Sequence, residues 1–388
     1  LVYAEIPATG EDMRSQGTIM LYGHLDKQPP FTGWSSTGPY EPDIRTSPFD
    51  GRRKLYGRGG ADDGYSTFAA ISSLLALRAQ GLPHARVVLV VEGSEESGSR
   101  DLPDYLERLR ARIGPVNLVI CLDSMCGSYD QFWLTTSLRG ALTAELKVAM
   151  LSQGVHSGDA SGVVPDTFRI ARSLVSRVED ESTGTVKLAD LWVNIPEARV
   201  QETALAAEAL GEKLTHNFPF LPGARPVDHP SIAELQLNRT WRPQLAVVGA
   251  AGLPALNDAG PVLRPSTTLK LSLRTPPSLD APGAARCLKR ALEADPPYGA
   301  TVEAKTSSAL GWDAPALAPW LSDACDVASG SFFAGKPCLR MGCGGTIGFM
   351  GMLTNMFPDA QIVVTGLGGP NSNFHGPVGP TSTRWHTL

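Results

Sequence analysis

His24, Asp26, Asp62, Asp63, Glu95, Glu96 and Asp123 are side chains of the types that bind a divalent metal, and several stand at or just beyond the end of an apolar run. A neutral imidazole binds a metal through one ring nitrogen, and its other N–H needs an acceptor to fix the tautomer. Asp26, two residues after His24, is placed to be that acceptor. Glu95 and Glu96 are adjacent carboxylates in a Gly/Ser-rich loop, and they repel each other unless cations neutralise them. Beside a metal they can divide the work: one as ligand, the other as the base that deprotonates a metal-bound water. Taken singly, each has a plainer reading. His24 is then a core or turn histidine, Asp62 and Asp63 cap a helix, the glutamate pair is a solvated turn, and Asp123 caps the next loop. The glycines at Gly57-Arg-Gly-Gly-Ala do not make a phosphate loop, because Asp62 takes the last glycine position of G-x-G-x-x-G. His156, in Gly154-Val-His-Ser-Gly158, and His375, in Asn371-Ser-Asn-Phe-His-Gly376, read as loop histidines. His84, His216, His229 and His386 carry no assigned role.

The elements that must position these groups are short apolar runs. Thr18 to Gly23 leads into His24, Arg86 to Val91 into Glu92-Gly-Ser-Glu95-Glu96, and Asn117 to Leu122 into Asp123. Such runs read as buried parallel strands, and reactive groups gather beyond the carboxyl ends of parallel strands. Helix patterns follow from Tyr65 to Gln80, closed by Gly81, and from Asp101 to Arg112. Residues 1–136 are therefore expected to form the first part of an α/β domain. From Ser137 the texture becomes period two, as in an antiparallel sheet. The order is a strand at Ala141 to Val148, a helix near Asp166 to Val178, strands at Leu245 to Val248 and Thr268 to Leu273, and a helix near Ala281 to Ala294. This β-α-β-β-α-β order predicts an inserted ferredoxin-like α+β unit over 137–306, interrupted by a Pro-rich, weakly patterned middle. Residues 307–388 return to apolar strands such as Gln361 to Thr365 and complete the first domain.

A chain of 388 residues that is 42% hydrophobic can fill two cores. Its net charge of −5 and lack of basic runs argue against nucleic acid as a partner. Apolar stretches fall short of the ~20 residues of a membrane helix, so no membrane partner is expected. Six scattered cysteines form no disulfide framework and fit a reducing, cytoplasmic setting. The two C-x4-C spacings are poor matches to a structural zinc site. The start, without Met and already strand-like, is expected to be an N-terminal truncation.

Taken together, Tyr22-Gly-His-Leu-Asp26, Tyr56-Gly-Arg-Gly-Gly-Ala-Asp-Asp63, Glu92-Gly-Ser-Glu-Glu-Ser-Gly-Ser99, Leu122-Asp123, Val155-His-Ser-Gly158 and Ser372-Asn-Phe-His-Gly376 closely resemble the co-catalytic di-zinc peptidase family of carnosine dipeptidases, aminoacylases and glutamate carboxypeptidases, nearest its bacterial dipeptidase-like members. The resemblance spans nearly the whole chain. It implies a mixed, mostly parallel sheet flanked by helices, with an inserted dimerisation or lid domain. It also implies two divalent ions per chain, zinc foremost, with manganese and cobalt also suited to such ligands. His24 and Asp123 would complete one site, Glu96 and His375 the other, and Asp62 would bridge them. Glu95 would be the general base and Asp26 the partner of His24. In a homodimer His156 would act in trans as an oxyanion donor, and Arg274, in Leu271-Ser-Leu-Arg-Thr-Pro276, would grip a substrate carboxylate.

Two departures stand out. The expected Gly-Glu-Gly-Gly-[Ser/Thr]-Ile-Pro reads Gly342-Cys-Gly-Gly-Thr-Ile-Gly348, and that glutamate is where relatives are thought to meet the substrate amine. After His375, Gly376-Pro-Val-Gly379 replaces Gly-Pro-Asn-Glu and no helix is expected to follow. The leading expectation is a metal-dependent dipeptidase. Its rival is an N-acyl-amino-acid amidohydrolase, which needs no substrate amine, and a catalytically silent dimerising homologue is the third reading.

Overall fold

In a computed structural model, the described residues are 1–34, 38–46, 51, 53–216, 218–370, 372 and 375–376. Five strands form the sheet beneath the candidate ligands, in the order Val2–Ile6, Arg86–Glu92, Thr18–His24, Leu118–Cys121, Gln361–Val364. All neighbours are parallel except Val2–Ile6, which runs antiparallel on the edge. Strands Thr18–His24 and Arg86–Glu92 are almost wholly buried because each is a run of apolar residues with no polar face to show to water, and Leu118–Cys121 beside them is half-buried. The helices Tyr65–Ala79 and Leu102–Ile113 follow their strands as expected, and Gly81 stops the first in a left-handed conformation at φ 66°. Leu102, Leu106 and Ile113 pack with Met20, Val88, Val90 and Val119 in one core.

A second sheet is wholly antiparallel: Gln244–Ala251, Ser266–Thr275, Gly140–Ala149, Thr301–Ala309. Its connectivity is β-α-β-β-α-β, with helices Thr167–Val175 and Ala281–Glu293 covering one face. Gly140–Ala149 alternates buried with partly or fully exposed residues, so the period-two pattern is realised as one packed and one open face. Asp166 caps the first helix by accepting from Arg169 N–H at 2.8 Å. The chain thus has the mixed α/β fold expected. The expected boundaries at 136/137 and 306/307 fall inside strands Trp133–Leu138 and Thr301–Ala309, and sheet membership changes instead at Arg139 and after Ala309.

Two features of the middle were not legible in the pattern. Helices Glu197–Leu210 and Ile232–Thr240 lie in the supposedly weak Pro-rich stretch. A three-stranded sheet joins Trp312–Asp313, Trp133–Leu138 and Leu339–Cys343. The expectation that no helix follows Gly376 concerns 377–388, outside the described residues. Among the described residues no helix is long and apolar enough to cross a membrane.

Candidate metal centre

The parallel register sets the ends of three strands side by side: His24 faces Glu92, and Tyr22 faces Cys121. His24, the last residue of its strand, is fully buried. Its Nδ1 lies 3.2 Å from the Asp26 carbonyl and 3.3 Å from Asp26 Oδ1, which commits that nitrogen to donating and turns Nε2 toward the carboxylates of the site. Nε2 meets Asp62 Oδ1 at 3.2 Å and Asp123 Oδ1 at 3.7 Å. Asp26 has a further task, since Oδ1 accepts from Glu95 N–H at 3.1 Å and Oδ2 from Glu96 N–H at 2.9 Å. One carboxylate therefore sets both the histidine ring and the turn that aims the two glutamates.

Asp62 leads the chain into helix Tyr65–Ala79, with its two oxygens facing opposite ways. Oδ1 faces His24, and Oδ2 is 3.1 Å from His375 Nε2. His375 Nε2 is also 3.4 Å from Glu96 Oε2. Two groups result, His24–Asp62–Asp123 and Asp62–Glu96–His375, each with its donor atoms within 4.8 Å of one another. Donors bound at about 2.0–2.2 Å to one tetrahedral ion stand about 3.4 Å apart, so both groups fit a metal of zinc's kind. Glu95 Oε2 stands 4.0 Å from His24 Nε2, beside the first group without belonging to it.

The electrostatics agree with that fit. Burial, and then the charge of Asp123, raise the pKa of Glu95. Asp63 is raised by the same two causes, and Glu96 by burial and Asp62. Burial opposes the charged form of Asp62, but its bonds to His24 and His375 hold it below the usual carboxylate range. For His24 burial alone would lower the pKa, yet its bonds to Asp123 and Asp62 lift it to about 12. Crowded carboxylates that strain toward protonation are what bound cations relieve.

Several supports were invisible in the sequence because they act across the fold. Gln28 donates to Glu96 Oε2 at 2.5 Å. Arg58 donates to the His375 carbonyl at 3.3 Å and thereby holds the far end of the chain to the glycine-rich loop. Asp63, buried, accepts from the backbone N–H of His24 at 3.1 Å. Gly23 permits this close approach: a Cβ there would lie 2.0 Å from Ser66 Oγ and 2.8 Å from Asp63 Oδ2. Doublet sequences such as Asp62-Asp63 signal a carboxylate site, but not which member faces which partner.

The other two expected residues stand outside the ligand groups. His156 is exposed on the short strand Val155–His156, paired with Val262–Leu263. Arg274, near the end of strand Ser266–Thr275, donates to Thr346 Oγ1 at 2.9 Å, and Thr346 Oγ1 donates in turn to the Arg139 carbonyl at 2.6 Å. Cys343 is buried at the end of strand Leu339–Cys343, where its sulfur accepts from Gly345 N–H at 3.4 Å.

Comparison with known proteins follows the same lines. The profile of peptidase family M20/M25/M40 matches residues 20–381. A cysteinylglycine-S-conjugate dipeptidase of Corynebacterium striatum is 27% identical over 376 residues, covering 92% of this chain and 76% of that protein. Among solved structures, the M20 family metallo-carboxypeptidase Sso-CP2 of Sulfolobus solfataricus superposes with a TM-score of 0.77 at 19% identity, over 97% of this chain and 82% of that one. The di-peptidase Dug1p of Saccharomyces cerevisiae gives 0.74 at 19% identity, over 97% and 77%.

Proposed function

The chain belongs to peptidase family M20/M25/M40, and from that premise we propose that it is a dipeptidase-like metallopeptidase, hydrolysing a short peptide with a free C-terminal carboxylate. The observation that carries this reading is Asp62, whose two oxygens address two histidines on opposite sides. Such a carboxylate is built to be shared between two ions. His24, Asp62 and Asp123 would hold one and Asp62, Glu96 and His375 the other, with zinc foremost and manganese or cobalt also suited. When bound, such a pair supplies an activated water and polarises the scissile carbonyl.

The chain's own residues do the rest. Glu95 takes the proton of the attacking water and returns it to the leaving amine, a task matched by a carboxylate whose surroundings favour protonation. Asp26 holds the imidazole of His24 and the backbone of Glu95 in register. Arg274, tied to Thr346, receives the substrate carboxylate through its guanidinium fork. In a homodimer, His156 of the partner subunit would donate to the developing oxyanion. The antiparallel unit, about residues 137–306, would carry that dimer contact, and a cytoplasmic location suits the free cysteines.

The relatives named above favour the dipeptidase reading, and Cys343 is the one residue that points to a second. Where the family pattern places a carboxylate to meet a substrate ammonium group, Cys343 puts a buried thiol instead, which suits an N-acyl amino acid. Xaa-Gly dipeptides and their N-acetyl analogues separate the two, and preference for the acetyl forms overturns the dipeptidase reading. Glu95→Gln should retain its metals by elemental analysis while losing about 10²–10⁴-fold in kcat. Retained turnover would remove Glu95 as the base.

A further inference from the structure

Three arginines from distant parts of the chain converge on the Gly344-Gly345-Thr346 turn. Arg139 Nε donates to the Gly344 carbonyl at 3.1 Å, and Arg274 reaches Thr346. The backbone and side-chain stem of Arg239 lie against the same turn: a Cβ on Gly344 would lie 3.1 Å from the Arg239 carbonyl oxygen, 3.4 Å from Arg239 Cγ and 3.3 Å from Arg139 Nη2. Arg239 Nη2 in turn contacts Met125 Sδ at 3.8 Å, two residues beyond Asp123. The cluster therefore adjoins the loop of a candidate metal ligand.

Among the described residues, none of the three is paired with a carboxylate. Their partners are carbonyl oxygens, one hydroxyl and one thioether. Burial, and then the charges of Arg274 and Arg239, bring the pKa of Arg139 down to about 10. Partly buried like charges at such close quarters are costly, and guanidinium groups in proteins are normally matched by anions. Two buried polar side chains lie in the same elements: Ser137, whose hydroxyl would be 2.6 Å from a Cβ on Gly342, and Gln236, on the helix that carries Arg239; neither the hydroxyl nor the amide has a hydrogen-bond partner among the described residues.

We propose that Arg139 and Arg239, with the Gly344–Thr346 turn, form a second anion subsite beside Arg274, so that the preferred substrate bears an acidic side chain on the residue that carries the free carboxylate. This rests on the hydrolytic reading above and names its substrate class: peptides ending in aspartate or glutamate. Arg274 takes one carboxylate and the Arg139–Arg239 pair the other.

The test compares Ala-Glu with Ala-Gln, which differ by one charge at nearly constant shape, on the metal-loaded protein. Wild type should favour Ala-Glu at least about tenfold in kcat/KM, mostly through KM, as one matched charge-assisted contact supplies. Arg139→Gln should lower kcat/KM for Ala-Glu at least about tenfold more than for Ala-Gln, whereas a merely structural role lowers both alike. Equal rates on the two peptides in wild type, or equal losses in the variant, overturn the subsite. If no dipeptide is cleaved, the hydrolytic reading fails and binding decides the subsite separately. Calorimetry should then show glutarate binding at least about tenfold tighter than butyrate, with the difference lost in Arg239→Gln. Equal affinities, or a difference that survives in Arg239→Gln, overturn it.

Discussion

Asp26→Asn tests whether one carboxylate organises the site. The wild-type side chain accepts from Glu95 N–H (3.1 Å), from Glu96 N–H (2.9 Å) and from His24 Nδ1 (3.3 Å). An amide of the same shape has only one acceptor oxygen. Whichever way it turns, its NH2 group meets a backbone N–H, and at least one bond to a charged acceptor is lost. Such a bond contributes about 1.5–3 kcal/mol. If that loss is felt wholly at Glu95 in the transition state, it lowers kcat roughly 10- to 150-fold. The same change loosens His24, and losing the orienting partner of a metal-bound histidine weakens metal affinity about 10–100-fold. The assay is kcat at saturating metal, together with metal affinity from competition with a chromophoric chelator. A variant within about twofold of wild type in both quantities would refute the argument, because the bonds would then contribute nothing where the chemistry occurs.

Other perturbations probe different parts of the fold. Gly23→Ala places a Cβ 2.0 Å from Ser66 Oγ, and the overpacking should cost about 1–3 kcal/mol, read from denaturant unfolding of the metal-loaded protein. An unchanged midpoint would mean that helix Tyr65–Ala79 shifts freely against the strand. His156→Ala should leave the fold, the oligomeric state and the metal content unchanged and, on the proposed role, reduce kcat about 10²–10³-fold, as loss of an oxyanion donor does. A near-normal kcat would exclude the donor role.

The sequence exposed the parts of this site that follow from local pattern. His24 and Asp123 were findable because buried parallel strands are uniformly apolar and stop abruptly at their first polar residue. The antiparallel unit was legible from the alternation in Gly140–Ala149 and from the amphipathic helices Thr167–Val175 and Ala281–Glu293. Helix Glu197–Leu210 escaped because it has Pro196 rather than a capping side chain at its start, and its alanines mark no clear apolar face. The arginine cluster escaped for a different reason. Arg139, Arg239 and Arg274 share no motif and meet only through strand pairing and the packing of helix Ile232–Thr240. Gln28 and Arg58 likewise acquire partners only when the sheet brings separate loops together.

The placement of the two candidate ligand groups along the chain sets an order of assembly. His24, Asp62 and Asp123 all belong to the first third of the polypeptide, whereas the second group needs His375. During synthesis residues 24, 62 and 123 are all made well before residue 375, so one set of donors is complete while the other is still open. A nascent chain would thus offer donors for one ion before it could offer the paired centre proposed above. Arg58, by holding the His375 carbonyl, makes the closure of the second group a docking of a later segment onto an earlier loop.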